Sequence, residues 1–326
     1  MSCQKHRFIM VLPYFAAKKQ SGEVKVGLPP FFKLWAWSLA RVKMDVLLVT
    51  DMSLTNDLPS NLRMLKMSLS DLRELAQNKL RAGEGVALTH PRKLCDLKPF
   101  YGLIFEDYLL DYEYWGFGDC DLVYGRKMNE VLHEITDGCF DVASLKPGRI
   151  SGGLTFVRNT PELRCLALRI DDWQVALADE RYFLLDEIRN WLRFGELDSG
   201  HCTLEDIRRE DGDCFSAVVW RAQGLRIYDC DKLCEKRQYF YSCVKMKQGR
   251  LTFNGHEIAA FHYVRIKSFP YFDMDSANDI IGEDFVIDSN GFHNSLSLLT
   301  FVRESRVIAC WFPVCLWRHL KHMLHV

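Results

Sequence analysis

The sequence predicts an α/β protein built on a mixed, mainly parallel sheet flanked by helices. Two short apolar runs, residues 8–12 (FIMVL) and 45–50 (DVLLVT), have the composition of buried parallel strands. Between them, residues 31–39 carry apolar side chains at helical spacing after a Pro-Pro pair. A strand, a helix and a strand in this order form a right-handed βαβ unit, whose ligand crevice lies at the carboxyl ends of the strands.

Further elements follow along the chain. The patterns predict strands at residues 61–67, 112–118, 140–144 and 154–157, and helices at residues 72–79, 93–108 and 127–135. Ser70 has the character of an N-cap for the first of these helices, and Pro99 must interrupt the second. Short alternating segments at residues 217–220, 225–228 and 239–246 predict added strands or hairpins.

The composition favours a folded protein that works inside the cell. Hydrophobic residues make up 48% and charged residues 26%, which is enough apolar surface for a core. A formal net charge of −1 supplies no field for a polyanion, so we expect no nucleic-acid partner. The twelve cysteines stand singly, without a CxxC pair or a Cys/His cluster, which predicts reduced and mostly buried thiols. No segment reaches the roughly 20 apolar residues of a spanning helix or has a signal-peptide pattern, so a cytoplasmic location is expected.

The segment WGFGDCDLVYG, residues 115–125, contains the motif with the clearest chemistry. Asp119 and Asp121 stand two residues apart at the end of an apolar strand, so a backbone turn lets both carboxylates face one divalent cation. Mg²⁺ or Mn²⁺ held by one or two carboxylates and a substrate diphosphate is the usual arrangement for such hard cations. The ion stabilises the negative charge of a departing diphosphate. A pair of this kind also arises by chance in solvated turns, but its place after a βαβ unit favours a metal site.

Two strings, residues 93–102 (KLCDLKPFYG) and 114–125 (YWGFGDCDLVYG), resemble a bacterial glycosyltransferase family of GT-A type. Its members occur with polysaccharide and lipopolysaccharide gene sets, and it was long known only as an uncharacterised domain. The resemblance extends from about residue 8 to residue 269 and implies a GT-A-like (Rossmann-like) fold with Mn²⁺ or Mg²⁺ as cofactor. It implies a catalytic domain of residues 1–270 and a C-terminal extension of residues 271–326. The nucleotide-sugar half covers about residues 1–125, and the acceptor half covers about residues 126–270.

The resemblance also implies donor-binding residues in the first half of the chain. Pro13, Tyr14 and Asp51 follow or end predicted strands and would line the nucleotide pocket. Lys93 and Asp96 lie one helical turn apart, where the lysine would reach a phosphate and the aspartate a sugar hydroxyl. The alternative for this second pair is a solvated salt bridge on a helix surface.

In the second half, the resemblance points to an acidic pair after an apolar run. An inverting transfer needs one carboxylate to deprotonate the acceptor hydroxyl, and Asp186 or Glu187 is the candidate, with Asp186 slightly favoured. An ordinary helix surface is the alternative for this pair. Arg149, Gly152 and Gly153 stand where GT-A enzymes bring donor sugar and acceptor together, and a plain turn is the alternative there.

The segment AFHYVRIK, residues 260–267, resembles a late strand of the family that contains a histidine. His262 is the expected third metal ligand, since neutral imidazole is a competent ligand. Arg265 and Lys267 are expected to bind phosphates. On a regular strand they fall on the face opposite His262, so a local bend is needed for all three to converge.

Residues 307–325 combine aromatic side chains with basic ones and histidines. Such a mixture fits a membrane interface, with aromatics at headgroup depth and bases near anionic lipid. Together with a lipid-linked glycan acceptor, it implies peripheral contact with the cytoplasmic face of the inner membrane. The alternative is a core or dimer helix.

The motif and the resemblance together predict a hexosyltransferase that moves a sugar from a nucleotide-sugar donor, and the resemblance alone implies UDP as the nucleotide. The acceptor is a hydroxyl of a bacterial surface glycan such as O-antigen, capsule or lipopolysaccharide, and the transfer is expected to invert the anomeric centre. One alternative is a nucleotidyl- or phosphotransferase, which would need a Gly-rich phosphate loop after the first strand, where residues 13–27 are a poor candidate. The other is a non-catalytic carbohydrate-binding relative, which predicts no metal-dependent binding of nucleotide sugars.

Overall fold

A computed structural model of the chain describes residues 6–15, 27–53, 58–83, 85–234, 243–265, 267, 273–278, 280–282, 284–288 and 291–293. These residues form two compact units. The first comprises the described residues of Met1–Leu28, Leu39–Cys120 and Asn129–Leu233. The second comprises those of Pro29–Ser38, Asp121–Met128 and Cys234–Val326.

Strands and short helices alternate along the described residues. The strands are β1 Phe8–Pro13, β2 Asp45–Thr50, β3 Leu62–Lys66, β4 Tyr114–Gly118, β5 Leu122–Tyr124, β6 Val142–Ser144, β7 Leu154–Arg158, β8 Ile227–Asp229, β9 Leu233–Cys234, β10 Val244–Lys247, β11 Arg250–Phe253, β12 His256–Glu257, β13 Ala260–His262, β14 Asp284–Asp288 and β15 Gly291–His293. The α-helices are α1 Phe32–Leu39, α2 Leu69–Leu80, α3 Leu94–Leu97, α4 Tyr101–Ile104, α5 Glu106–Leu109, α6 Lys127–Asp137, α7 Pro161–Arg164, α8 Trp173–Ala178, α9 Phe194–Asp198, α10 Leu204–Asp211 and α11 Phe215–Arg221. Single 3₁₀ turns lie at Pro91–Lys93, Lys98–Phe100, Leu166–Arg169, Trp191–Arg193, Tyr263–Arg265 and Asp275–Asn278.

The first unit is built on a mixed sheet of seven described strands in the order β3-β2-β1-β4-β7-β6-β8. Strands β3, β2, β1 and β4 are parallel to one another, β7 is antiparallel to both β4 and β6, and β8 is parallel to β6. The prediction of a mixed, mainly parallel sheet flanked by helices is confirmed, and the order is compatible with a Rossmann-like fold. Pro13 lies opposite Val49, so β1 and β2 end at the same edge of the sheet.

One face of this sheet carries the main core of the first unit. Ile9 and Val11 of β1 and Trp115 and Phe117 of β4 are fully buried there, in one apolar cluster with residues of α2 to α5 and α11. Gly102 in α4 makes this packing possible, because a Cβ at that position would stand 2.5 Å from the indole of Trp115. Alternate residues of β1 and β4 thus form a continuous buried surface on this face of the sheet.

A capping box determines where helix α2 begins, and a proline interrupts the helical segment that follows it. Helix α2 begins after Ser68 and not after the predicted cap Ser70. Ser68 Oγ accepts a hydrogen bond from the Asp71 N–H, and the Asp71 carboxylate accepts one from the Ser68 N–H, a reciprocal capping box that Ser70 cannot form. The interruption expected at Pro99 is confirmed, since residues 91–109 form a chain of single α and 3₁₀ turns.

The prediction of a strand at residues 217–220 was wrong, because this segment lies within helix α11. Phe215, Ser216, Ala217, Val218 and Val219 are all buried. A segment that is buried on every side has no polar face, so its pattern does not distinguish a strand from a helix. The strand predicted at residues 225–228 overlaps β8 at residues 227–228, and the one predicted at residues 239–246 overlaps β10 at residues 244–246. Residues 239–242 lie outside the described residues.

The second unit contains an antiparallel sheet of described strands in the order β12-β11-β10-β14-β15. Separately, β5 pairs in antiparallel fashion with β13, and Leu122 lies opposite His262. Membrane-spanning helices are absent from the described residues, since none combines enough length with enough apolar character. The tail at residues 307–325, predicted to meet a membrane or a partner, lies outside the described residues.

Eight cysteines of the described part of the chain carry reduced thiols in varied surroundings. Cys120, Cys202 and Cys214 are buried, while Cys139 and Cys165 are exposed, and three further ones are partly buried. Most thiols were expected to be buried, but fewer than half of these eight are.

The close approach of β4 and β7 predicts the effect of Gly116→Ala. A Cβ at Gly116 would stand 2.5 Å from both the Phe156 ring and the Thr155 carbonyl oxygen, and the backbone oxygen cannot move without breaking the sheet. We expect the free energy of unfolding to fall by about 2 kcal/mol in denaturant titrations. The control is Gly195→Ala in α9, where nothing lies within 4 Å, and stability should rise by up to about 1 kcal/mol. Equal effects of the two changes would contradict the packing described for β4.

Candidate functional site

Asp121 is the centre of a buried ionic cluster in the second unit. Asp121 is 3% exposed. It directly precedes β5, which pairs with β13. His262, the last residue of β13, places Nε2 3.2 Å from Asp121 Oδ1. Lys267 Nζ donates to the other carboxylate oxygen. The Tyr263 N–H also donates to the Asp121 carbonyl at 3.2 Å, so strand pairing continues up to the cluster.

The charges around Asp121 keep its carboxyl group ionised. Burial alone would raise its pKa, but the neighbouring His262 and Lys267 outweigh that effect and hold the pKa well below its usual range. Asp119 stands two residues earlier in the chain. Among the described residues, Asp119, Asp121 and His262 form a group that could hold a metal ion, as the sequence predicted.

The bend that the sequence required after His262 is a 3₁₀ turn at Tyr263–Arg265. The Lys267 N–H donates to the Tyr263 carbonyl at 3.0 Å, and this turn returns the chain so that Lys267 reaches Asp121. Lys267 Nζ also lies 5.9 Å from the centre of the Phe31 ring. The side chain of Arg265 lies outside the described residues.

In the first unit, Lys98 joins three segments around the residue that follows β4. Its ammonium group donates to Asp119 Oδ1 at 2.8 Å and to the Gly152 carbonyl at 2.9 Å, and it lies 3.5 Å from Asp186 Oδ2. The Lys98 side chain is only 7% exposed. Burial alone would lower its pKa, but the carboxyl groups of Asp119 and Asp186, with the Cys95 thiol, raise it well above its usual value.

Asp186 and Glu187 lie in an irregular turn and not on a helix surface, which was the alternative for this pair. Leu184, just before them, has a left-handed backbone with φ 54°, a conformation that leucine rarely adopts. Glu187 Oε1 accepts the Gly152 N–H at 2.8 Å, and a Cβ on Gly152 would stand 2.5 Å from Asp186 Oδ2. The turn at Gly152 and the acidic pair therefore fit together only because position 152 lacks a side chain.

Within this turn, Asp186 is a buried carboxyl group with a raised pKa. It is 2% exposed, and the Tyr182 hydroxyl donates to its Oδ1 at 3.3 Å. Burial raises its pKa well above the usual range, the charge of Lys98 offsets part of the shift, and the nearby Glu187 adds to it. A carboxyl group of this kind accepts a proton more readily than an ordinary aspartate.

Lys93 and Asp96 form a fully buried ion pair at 2.9 Å, which excludes the solvated salt bridge that was the alternative. Lys93 Nζ also donates to the carbonyls of Ala176 and Arg181. The Asp96 carboxylate accepts the backbone N–H groups of residues 183 and 185. A contact of this pair with a donor stays a prediction, while the contacts observed fix the segment that leads into Asp186.

The other predicted residues lie at the carboxyl edge of the parallel strands and in the loop after β6. Pro13 ends β1, the Tyr14 N–H donates to the Val49 carbonyl at 2.8 Å, and the exposed Asp51 follows β2. Arg149 lies in the loop between β6 and β7, just before the turn at Gly152, and its side chain is 1% exposed. Nucleotide binding at this edge stays a prediction.

Residues 25–295 match a family of unknown function, DUF6625. The chain belongs to this family. No curated protein matches the chain.

Lys98 is the residue that sequence reasoning missed. It stands in the string KLCDLKPFYG, in which the helical spacing of Lys93 and Asp96 is the more obvious pattern. A signal was present, since Lys98 interrupts an apolar series between Leu97 and Phe100, both of which are fully buried. A lysine at such a position is rarely buried without carboxylate or carbonyl partners.

The buried pair predicts the effect of Lys93→Met. Removing one partner leaves the Asp96 charge uncompensated in the interior, so the free energy of unfolding should fall by about 3 kcal/mol or more. The control is Arg181→Ala, which removes an exposed partner of Asp179 and should leave the denaturation midpoint unchanged. A Lys93→Met protein as stable as the control would show that the pair does not hold the segment before Asp186.

Proposed function

We propose that the protein is a metal-dependent glycosyltransferase. It transfers a sugar from a nucleotide-sugar, with UDP as the nucleotide, to a hydroxyl group of a bacterial surface glycan, with inversion. The observation that carries the proposal is the buried contact of Asp121 with His262, 141 positions apart in the chain. The GT-A resemblance assigned the same two residues to one metal site, and a chance pair of acidic residues in a turn has no reason to meet that histidine.

The chemistry of the ligands fits Mn²⁺ or Mg²⁺. Asp119, Asp121 and His262 would hold the ion, with carboxylate and imidazole groups that suit these cations. When bound, the ion stabilises the charge that develops on the departing nucleoside diphosphate. Lys267 lies on the Asp121 carboxylate with a side chain that is 33% exposed, so it can exchange that partner for a phosphate oxygen.

Asp186 is proposed as the base. In the transfer the acceptor O–H bond breaks and its proton passes to the carboxylate, while the oxygen forms a bond to the anomeric carbon. The bond from that carbon to the diphosphate breaks on the opposite side, and its electron pair leaves with the diphosphate. Burial raises the pKa of Asp186, which makes it a stronger base once ionised. The turn at Gly152 and Lys98 hold the carboxylate in place.

The metal site predicts a ligand-dependent change in thermal stability. The unfolding temperature should rise when a UDP-sugar and Mn²⁺ are added together, and much less with either one alone, because an ion held by Asp119, Asp121 and His262 would supply the positive charge that the diphosphate needs. This metal-dependent shift should disappear in Asp121→Asn. Assays should also detect release of UDP, and not of UMP, when an acceptor glycan is present.

Asp288→Asn is the matched control for that experiment. Asp288 is another buried carboxylate of the second unit, with Oδ1 3.1 Å from Nε2 of His293. Its variant should keep the metal-dependent shift even if its basal stability changes. Equal shifts in wild type and Asp121→Asn would rule out the proposed metal ligand.

The base assignment predicts that Asp186→Asn loses turnover and keeps donor binding. We expect kcat to fall by about 10²- to 10⁴-fold. A base acts in its ionised form, which is populated above its pKa. Because the pKa of Asp186 is raised, kcat in wild type should increase with pH well above roughly 3.9, the value of an unperturbed aspartate. That limb should be missing from the residual activity of Asp186→Asn, and full turnover in this variant would refute the assignment.

A further inference from the structure

The guanidinium group of Arg149 is buried without a full set of hydrogen bonds. Its side chain is 1% exposed, and Nη1 has no hydrogen-bond partner among the described residues. Nε donates only a long hydrogen bond, of 3.5 Å, to Asp198 Oδ1. Glu187 Oε1 lies 3.7 Å from Nη1, which is beyond hydrogen-bond distance. Strong hydrogen bonds between such charged groups are about 2.7–2.9 Å long.

A buried guanidinium normally has its donors satisfied, because an unmatched charged donor in the interior is costly. Arg189 in the same unit shows the usual arrangement. Its side chain is 3% exposed, its Nε donates to the Asp213 carbonyl at 2.6 Å, and its Nη2 donates to Asp172. Both guanidinium groups lie over a phenylalanine ring, Arg149 over Phe194 at 4.3 Å and Arg189 over Phe183 at 5.3 Å. The two arginines therefore differ in their hydrogen bonds and not in their type of packing.

The neighbours of Arg149 define what can fill the place between its Nη1 and Glu187. Nη1 offers a donor and Glu187 Oε1 an acceptor, and a hydroxyl group is the simplest partner that can satisfy both. An anionic group at this place would be repelled by two carboxylates, those of Glu187 and Asp198, and attracted by only one guanidinium group. Glu187 is the open side of the pair, with a side chain that is 17% exposed.

We infer that Arg149 and Glu187 form a hydroxyl-binding pair that selects an uncharged sugar on the donor. This inference rests on the proposed function and names the class of sugar that it transfers. A neutral hexose is accepted, because its hydroxyl receives a hydrogen bond from Arg149 and donates one to Glu187. A hexuronic acid is rejected, because its carboxylate meets the two acidic side chains. Arg149 thereby serves the sugar and not the phosphates.

The binding test uses the full chain with Mn²⁺ and measures affinities by calorimetry. The probes are UDP, UDP-glucose, UDP-galactose and the corresponding UDP-hexuronic acids. In wild type, one neutral UDP-hexose should bind at least tenfold more tightly than UDP and than its acidic counterpart. Arg149→Met should bind UDP as wild type does and lose the additional affinity for the sugar. Glu187→Gln should bring the neutral and acidic donors closer together, because it removes one of the repelling charges.

The outcomes separate this inference from the proposed function. If wild type binds neither UDP nor any UDP-sugar with Mn²⁺, the proposed function fails. If UDP binds but Arg149→Met retains the additional affinity for the neutral sugar, the inference fails while the proposed function stands. Tighter binding of a hexuronic acid donor by wild type would overturn the inference in the same way.

Thermal unfolding supplies a test that needs no ligand. Arg149→Met removes a buried charge with an unmatched donor, so the unfolding temperature should stay the same or rise. Arg189→Met is the matched control, and it should lower the unfolding temperature because it removes satisfied hydrogen bonds. A similar fall of the unfolding temperature in both variants would show that Arg149 has a structural role and would contradict its role in ligand binding.

Discussion

The arrangement of the first unit depends on the need to satisfy one buried ammonium group. Lys98 cannot remain charged in the interior unless oxygen atoms surround it, and it obtains them from Asp119, the Gly152 carbonyl and Asp186. These residues come from three separate segments of the chain. Each contact therefore fixes a loop that local sequence alone would leave free to adopt other conformations.

Buried hydrogen bonds also explain why the acidic pair stands in a strained turn. The left-handed backbone of Leu184 and the close approach of Asp186 to Gly152 are both unfavourable for an isolated peptide. They persist because Asp96 accepts the N–H groups of residues 183 and 185 and Glu187 accepts that of Gly152. Buried polar contacts on both sides of Leu184 thus compensate a conformation that places one carboxyl group inside the protein and leaves its neighbour partly outside.

Much of the parallel half of the sheet could be predicted from sequence, because runs such as DVLLVT are short, apolar and rich in β-branched residues. Helix α11 could not, since a segment buried on all sides carries no periodic pattern. The N-cap of α2 was predicted two residues too late, at Ser70. Only Ser68 has Asp71 three residues after it, and therefore only Ser68 can form the reciprocal capping box. Local patterns fail where the deciding partner is a single hydrogen bond.

The candidate site shows the same division. The acidic residues at 119 and 121 are visible as a motif, and the contact of Asp121 with His262 follows the expectation. Lys98 and the unmatched Nη1 of Arg149 were not foreseen, because their significance lies in contacts with distant parts of the chain: Gly152 is 54 positions from Lys98, and Asp198 is 49 positions from Arg149. Spacing along the chain identifies ligands of one local turn. It does not reveal which buried charge a distant loop will complete.

The fully buried pair of Lys93 and Asp96 has a consequence for how this family can diverge. Loss of either charge alone leaves its counterpart stranded in an apolar interior, whereas simultaneous replacement of both by apolar side chains of similar volume is tolerated far better. The two positions are thus expected to covary among relatives, either retained as an ionic couple or exchanged together. Intermediates with a single substitution should be rare, because they pass through a poorly folded protein.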